Sequence, residues 1–87
     1  MEIEFHPKAD RDLAFWKKSG NKVVQKKIVE LIDEIIKHPY TGIGKPEPLK
    51  YEFAGVWSRR INYEHRIIYD VVGDVVNIYS LRGHYEK

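Results

Sequence analysis

The stretch RIIYDVVGDVVNIYSLR, residues 66–82, decides the fold. Two runs rich in valine, isoleucine and tyrosine flank Gly73-Asp74, and that dipeptide suits a two-residue hairpin turn. With the turn centred there, Val71 faces Val76, Tyr69 faces Ile78 and Ile67 faces Ser80. This face is mostly apolar and reads as the core side. The reverse face sets Ile68 opposite Tyr79, Asp70 opposite Asn77 and Arg66 opposite Leu81. It is wetter, and it carries Arg66.

Upstream, residues 56–62 read as the preceding strand. An odd-length loop centred on Tyr63 then sets Arg60 opposite Arg66. Like charges directly opposite destabilise a sheet. Their tolerance makes sense where an anion sits between them, and a phosphate suits guanidinium forks. Solvated, scattered arginines are the competing reading of the same spacing. Residues 49–53 read as one more short strand. Before them lies a glycine- and proline-rich loop, residues 41–48, in which Glu47 stands between Pro46 and Pro48. Proline disfavours helical backbone in the residue before it, so Lys45 and Glu47 are expected to be extended.

The first half is helical. Residues 1–5 alternate apolar and acidic side chains as a half-buried strand does. His6-Pro7 opens a helix, with proline at its first position, and Ala9, Leu13 and Trp16 recur at helical spacing. Ser19-Gly20-Asn21 ends that helix and caps the next. Val24, Ile28, Leu31 and Ile35 form one apolar stripe, with Lys22, Lys26 and Lys27 on the wet side. His38-Pro39 stops it. Phe15, Trp16 and Tyr69 are assigned to the core, and Trp57 to core or edge packing. The expectation is an α+β fold over a single domain, residues 1–87: two N-terminal helices packed on one face of an antiparallel sheet, the other face free.

Composition excludes several classes. Hydrophobic residues at 43% and charged residues at 32% describe a globular chain rather than a disordered one. There is no cysteine, hence no disulfide framework and no thiolate metal site. His6, His38, His65 and His84 lack the paired spacing of a zinc site, so no metal or other cofactor is expected. No apolar run matches a membrane span, and the start, MEIEFHPK, does not read as a secretory leader. A cytoplasmic protein without membrane contact is expected. A net charge of +2 is by itself a weak nucleic-acid signal. The cations concentrate, however: Lys45, Lys50, Arg59, Arg60 and Arg66 stand against Glu47, Glu52 and Glu64, and His65 is available to join them.

Four motifs, GKPEPLK (residues 44–50), WSRRI (57–61), EHRIIY (64–69) and the near-terminal GHY (83–85), together resemble the YoeB/Txe toxins of the RelE-like superfamily. Order and spacing match along the whole chain, more loosely in the N-terminal half. The resemblance implies two helices on an antiparallel sheet with a concave active face. It implies a ribosome-dependent endoribonuclease that cuts mRNA in the A site of the 70S ribosome without a metal, touching rRNA as it does so. The 2′-hydroxyl attacks the adjacent phosphate, leaving a 2′,3′-cyclic phosphate and a 5′-hydroxyl. It further implies a cognate antitoxin laid over the active face, a toxin homodimer, and operator DNA contacted only through the antitoxin. Glu47 then matches the general base, His84 the general acid and Arg66 the phosphate-stabilising arginine. Tyr85 matches the substrate-positioning tyrosine, and Lys50 and Arg60 the supporting cations. Two departures stand out: Glu86 and Lys87 follow Tyr85, and Gly83 precedes His84 where many relatives carry a bulkier residue, a change expected to loosen His84.

RNA transesterification requires a base, an acid and cations for the phosphorane, and these residues supply one of each. Apart from the resemblance, Glu47 reads as a turn carboxylate and His84 as an exposed chain-end residue. The alternative function is a non-catalytic binding module or a gyrase poison on the same scaffold, which leaves Glu47, Arg66 and His84 without a task.

Overall fold

The computed structural model describes residues 1–84. Strand β1 (Glu2–Phe5) leads into helix α1 (Pro7–Ser19), with Pro7 in the first turn where its missing N–H is no loss. Gly20 ends α1 in the left-handed conformation at φ +72°. Asn21 caps α2 (Lys22–Lys37), its side chain accepting from the Val24 N–H at 3.0 Å. Val24, Ile28, Leu31 and Ile35 are all buried, each worth about 1.5–3 kcal/mol of apolar transfer. The chain then forms β2 (Glu47–Pro48), a single 3-10 turn (Tyr51–Phe53), β3 (Trp57–Arg60), β4 (Arg66–Val72) and β5 (Val75–Ser80).

The five strands make one sheet in the order β1-β5-β4-β3-β2. Strands β2 to β5 are antiparallel neighbours as expected, while β1 adds to the edge of β5 in parallel. The helices connect β1 to the rest of the chain, so no hairpin forces its direction. The β4–β5 register follows the expectation from the turn as far as Tyr69↔Ile78. Ile68 then pairs with Ser80 and not with Tyr79, a one-residue bulge that displaces the expected Ile67–Ser80 and Arg66–Leu81 pairs as well. The bulge lies where the chain turns out of the sheet towards α1. The strand expected at residues 49–53 is also corrected. Pairing stops at Pro48 apart from one Leu49 N–H to Val56 carbonyl bond of 2.8 Å, and Tyr51 turns the chain at φ +60°. A proline on this short edge strand leaves no ladder bond missing.

Both helices cover the face formed by Ile67, Tyr69, Val76 and Ile78, with Ala9, Trp16, Ile61 and Leu81 completing the core. Phe15 does not join it. The ring is 41% exposed and lies 3.7 Å from the Arg82 guanidinium in a cation–π contact.

Arg59 departs furthest from expectation. It does not belong to a cationic patch; it is completely buried. Its Nε donates to the Tyr69 hydroxyl at 3.1 Å, Nη1 to the Ile43 carbonyl at 3.0 Å, and Nη2 to the carbonyls of His38 and Thr41. The Tyr69 hydroxyl in turn donates to the Pro39 carbonyl at 2.6 Å. Burial pushes the Tyr69 pKa up, against the opposing pull of Arg59. The same loop docks through Gly44, whose carbonyl accepts from the Arg60 N–H at 2.6 Å. A Cβ on Gly44 would meet Leu31 at 2.7 Å, and its φ is +82°. Lys45 follows in the left-handed region at φ +51°, not extended. The reversal at Gly44 and Lys45 overrides the influence of Pro46.

The helix-free face carries its own polar chain. The Asn77 amide donates to Asp70 at 2.9 Å, as does the Tyr79 hydroxyl, and His6 Nε2 lies 3.0 Å from Asn77 Oδ1. Burial, then Asp70, pushes the Tyr79 pKa up to about 12.

Arg59→Lys keeps the charge but cannot fork to four acceptors, so urea unfolding should show a loss of about 2–4 kcal/mol, with Tyr69→Phe losing about 1–2 kcal/mol. Tyr79 ionises near 12 when folded and near ~10 when unfolded. Its contribution is therefore intact below pH ~10 and lost as pH rises through the folded value. Urea midpoints taken across that window should fall for the wild type and fall less for Tyr79→Phe.

Candidate active site

The sheet register assigns faces. Side chains of directly paired residues point the same way. Arg59, Ile67 and Tyr69 face the helices. The alternate positions, Ser58, Arg60, Arg66 and Ile68, therefore share the helix-free face, and Glu47, paired with Ser58, joins them. Arg60 pairs directly with Arg66, as the odd-length loop implied. Glu47 lies two strands across from Arg66 and two residues along, so their Cα atoms are about 12 Å apart by strand spacing and rise. Both side chains lie on the same sheet face across that gap.

Glu47 is exposed, and its carboxylate has no hydrogen-bond or ion-pair partner among the described residues. The ion pairs among the described residues join His6 with Glu4, Lys8 with Asp12 and Lys37 with Asp33, and none of them involves Glu47, Lys50, Arg60 or Arg66. Arg60 and Lys50 are exposed and equally without a side-chain partner. Lys50 begins the 3-10 turn three residues after Glu47. Unpaired cations around one free carboxylate suit an anionic ligand.

Arg66 rests on its own turn. Its Nη1 donates to the carbonyls of Asn62, Tyr63 and His65 at 2.9, 3.2 and 3.2 Å. The Asn62 side chain shapes that turn by accepting from the N–H groups of Glu64 and His65. Among the described residues, Nε and Nη2 of Arg66 have no partner and remain available. Tyr63 at the tip is 89% exposed. Trp57 packs against the Tyr40 ring, centroids 4.8 Å apart, as a packing residue does.

His84 adjoins Arg66 through Gly83. The Arg66 N–H donates to the Gly83 carbonyl at 2.9 Å, and the Gly83 N–H donates to His65 Nδ1 at 2.9 Å. Gly83 turns the chain at φ +86°. The glycine expected to loosen His84 is thus held on both its amide and its carbonyl. His65 is corrected too: Nδ1 serves here as an acceptor, not as part of an added cation. His84 itself is exposed. Tyr85 lies outside the described residues.

Sequence reasoning missed two features, one on this face and one on the helix side. One is a cavity of about 310 Å³ lined by Phe53, Val56, Ile68 and Tyr79. Its members come from three separate segments, which no local pattern connects. The other is His65, whose place within EHRIIY marked it only as a neighbour of Arg66. Among the described residues no three histidine, aspartate or glutamate side chains gather as a metal-ligand set.

Comparisons with known proteins give the family. The family model for the YoeB-like toxin of bacterial type II toxin–antitoxin systems matches residues 5–85. Toxin YoeB of Escherichia coli K12 is 46% identical, over 98% of this chain and 100% of that one. The YoeB/ParE toxin structure from Agrobacterium tumefaciens superposes with TM-score 0.93 at 38% identity, covering 98% and 100% of the two chains. Two Staphylococcus aureus structures, a YoeB-YefM complex and a YoeB dimer, give TM-scores of 0.88 and 0.90 at 42% and 41% identity, with 98% of each chain covered. In fold, in motif order and over its full length, this chain belongs to the YoeB-like toxin family of bacterial type II toxin–antitoxin systems.

Proposed function

We propose that this toxin is a ribosome-dependent endoribonuclease that cuts mRNA in the ribosomal A site by metal-free acid–base transesterification. The observation that carries the reading is the unpaired set on one face: Glu47, Arg60 and Arg66 on adjacent strands, with His84 joined to the Arg66 backbone through Gly83. Glu47 takes the proton of the 2′-hydroxyl. The 2′-oxygen bonds to phosphorus, and the P–O5′ bond breaks. His84 gives its proton to the departing 5′-oxygen. The products are a 2′,3′-cyclic phosphate and a 5′-hydroxyl. Arg66, with Arg60 and Lys50, holds the charge that builds on the phosphorane oxygens. Tyr85 positions the substrate. A well-placed acid or base contributes about 10²–10⁴ in rate, or about 3–5 kcal/mol of barrier.

The relatives suggest the partners. The Staphylococcus aureus YoeB forms a complex with YefM and also a dimer. A cognate antitoxin covering the helix-free face and a toxin homodimer follow by analogy, with operator DNA reached through the antitoxin. No helix of the described residues is long and apolar enough to cross a membrane. A cytoplasmic location is where ribosomes would be met.

Primer extension on programmed ribosomes tests the chemistry. Glu47→Gln and His84→Gln should each lower cleavage by about 10²–10⁴, with urea midpoints unchanged. Growth arrest without codon-phased cuts would point to a poison of the gyrase type, and cutting of naked RNA to a free-standing ribonuclease. Arg60→Gln should raise the stability of the free toxin by a few tenths of a kcal/mol, about what relief of a like-charge cross-strand pair gives. It should also weaken ribosome-bound cleavage and reduce its salt dependence.

A further inference from the structure

We propose that His65 is a positioning residue for cleavage: its Nδ1 captures the Gly83 amide and so holds the His84 imidazole beside Arg66. The inference rests on the reading of His84 as the general acid.

Beyond Ser80 the chain leaves the sheet, and side chains take over from the ladder. The Leu81 N–H donates to Asp12 at 3.0 Å, and Trp16 Nε1 donates to the Leu81 carbonyl at 2.9 Å. Lys8 Nζ donates to the Arg82 carbonyl at 3.2 Å. The last hold before His84 is Gly83, whose carbonyl bonds the Arg66 backbone and whose amide bonds His65. Glycine has no conformational preference to keep a turn at φ +86° by itself. The two hydrogen bonds must do so, and only the one from His65 depends on a side chain.

His65 is itself fixed. Its ring stands edge-on to Trp16, centroids 4.9 Å apart at 82°. Its N–H donates to Asn62 Oδ1 at 2.8 Å, and its carbonyl accepts from the Ile61 N–H at 2.9 Å. Nδ1 accepts only when it carries no proton, so a neutral ring keeps its hydrogen on Nε2. The Trp16 contact and the acceptor role are separable. A phenylalanine keeps the ring and loses the acceptor. An asparagine keeps an acceptor at the Nδ1 position and loses the ring.

A displacement of about 1 Å at a reacting group can lower a rate by about 10²-fold. On programmed ribosomes, His65→Phe should lower kcat by about 10- to 100-fold with KM changed less than about twofold, and His65→Asn should recover most of that loss. The decisive substrate carries sulfur in place of the scissile 5′-oxygen, a leaving group that needs no protonation. On it the His65→Phe defect should vanish, as the His84→Gln defect should, while Arg66→Ala stays impaired. Combining His65→Phe with His84→Gln should add nothing to His84→Gln alone. An unaltered kcat in His65→Phe, or an equal loss on both linkages, overturns the positioning role. Full activity of His84→Gln on the oxygen linkage overturns instead the acid assignment beneath it. If His65→Phe does not fold, His65→Gln serves the same comparison, since its amide oxygen reaches the Nε2 and not the Nδ1 position.

Discussion

The rest of the molecule depends on the buried guanidinium of Arg59. An isolated cation in a protein interior is strongly unfavourable, and among the described residues no carboxylate answers this one. Three loop carbonyls and a tyrosine hydroxyl do. The His38 carbonyl belongs to the C-cap of α2, where the helix dipole already favours positive charge. The end of α2, the loop of residues 38–43, β3 and β4 therefore meet at one side chain. Once that loop is fixed, Gly44 docks on Arg60 and the following residues run beside β3 as β2. Glu47 reaches the helix-free face by that route.

Two adjacent arginines thus perform opposite tasks. Strand periodicity sends Arg59 inward and Arg60 outward, and a slip of one residue would exchange them. The outward arginine faces Arg66 and opposes folding, while the inward one secures the strand that carries it. The destabilising pair stands beside the interaction best able to offset it, which is how strain at a functional surface is commonly maintained.

What could be read from the sequence follows the same division. The two helices with their caps, the hairpin about Gly73-Asp74 and the facing of Arg60 with Arg66 all rest on local periodicity or turn chemistry, and the structure has them. Arg59 was misread because hydrogen bonds to backbone carbonyls leave no residue pattern: beside Arg60 it looked like one more surface cation. The bulge at Ile68 and the exposure of Phe15 depend on where the chain beyond β5 goes, and that is set by α1, about seventy residues upstream. Strand periodicity said nothing of that path. The sharing of one face by Arg60 and Arg66 was implicit in the register, whereas Glu47, read as part of a loop, joins them through a pairing that the sequence did not indicate. The hold of His65 on Gly83 was not, because it links a turn to a tail through one ring nitrogen.

Asp12 is the counterpart of Arg59 at the other end of the site. It too is a buried charge that ties down irregular chain. It accepts from Lys8 at 2.7 Å, one turn away on α1, and from the Leu81 N–H at 3.0 Å. One buried ion secures the segment leading to Glu47, and the other secures the segment leading to His84. The sheet between them carries Arg66 by ordinary strand pairing. The two ends differ in strength. Arg59 is fully enclosed with four acceptors, whereas Lys8 stands half in solvent, where screening weakens its pairing with Asp12. Hydrogen bonds of about 1 kcal/mol each hold the tail, and segments so held open more readily than a core strand. On the proposed mechanism, the rigid end carries the carboxylate that takes a proton, and the end that opens more easily carries the imidazole that delivers one.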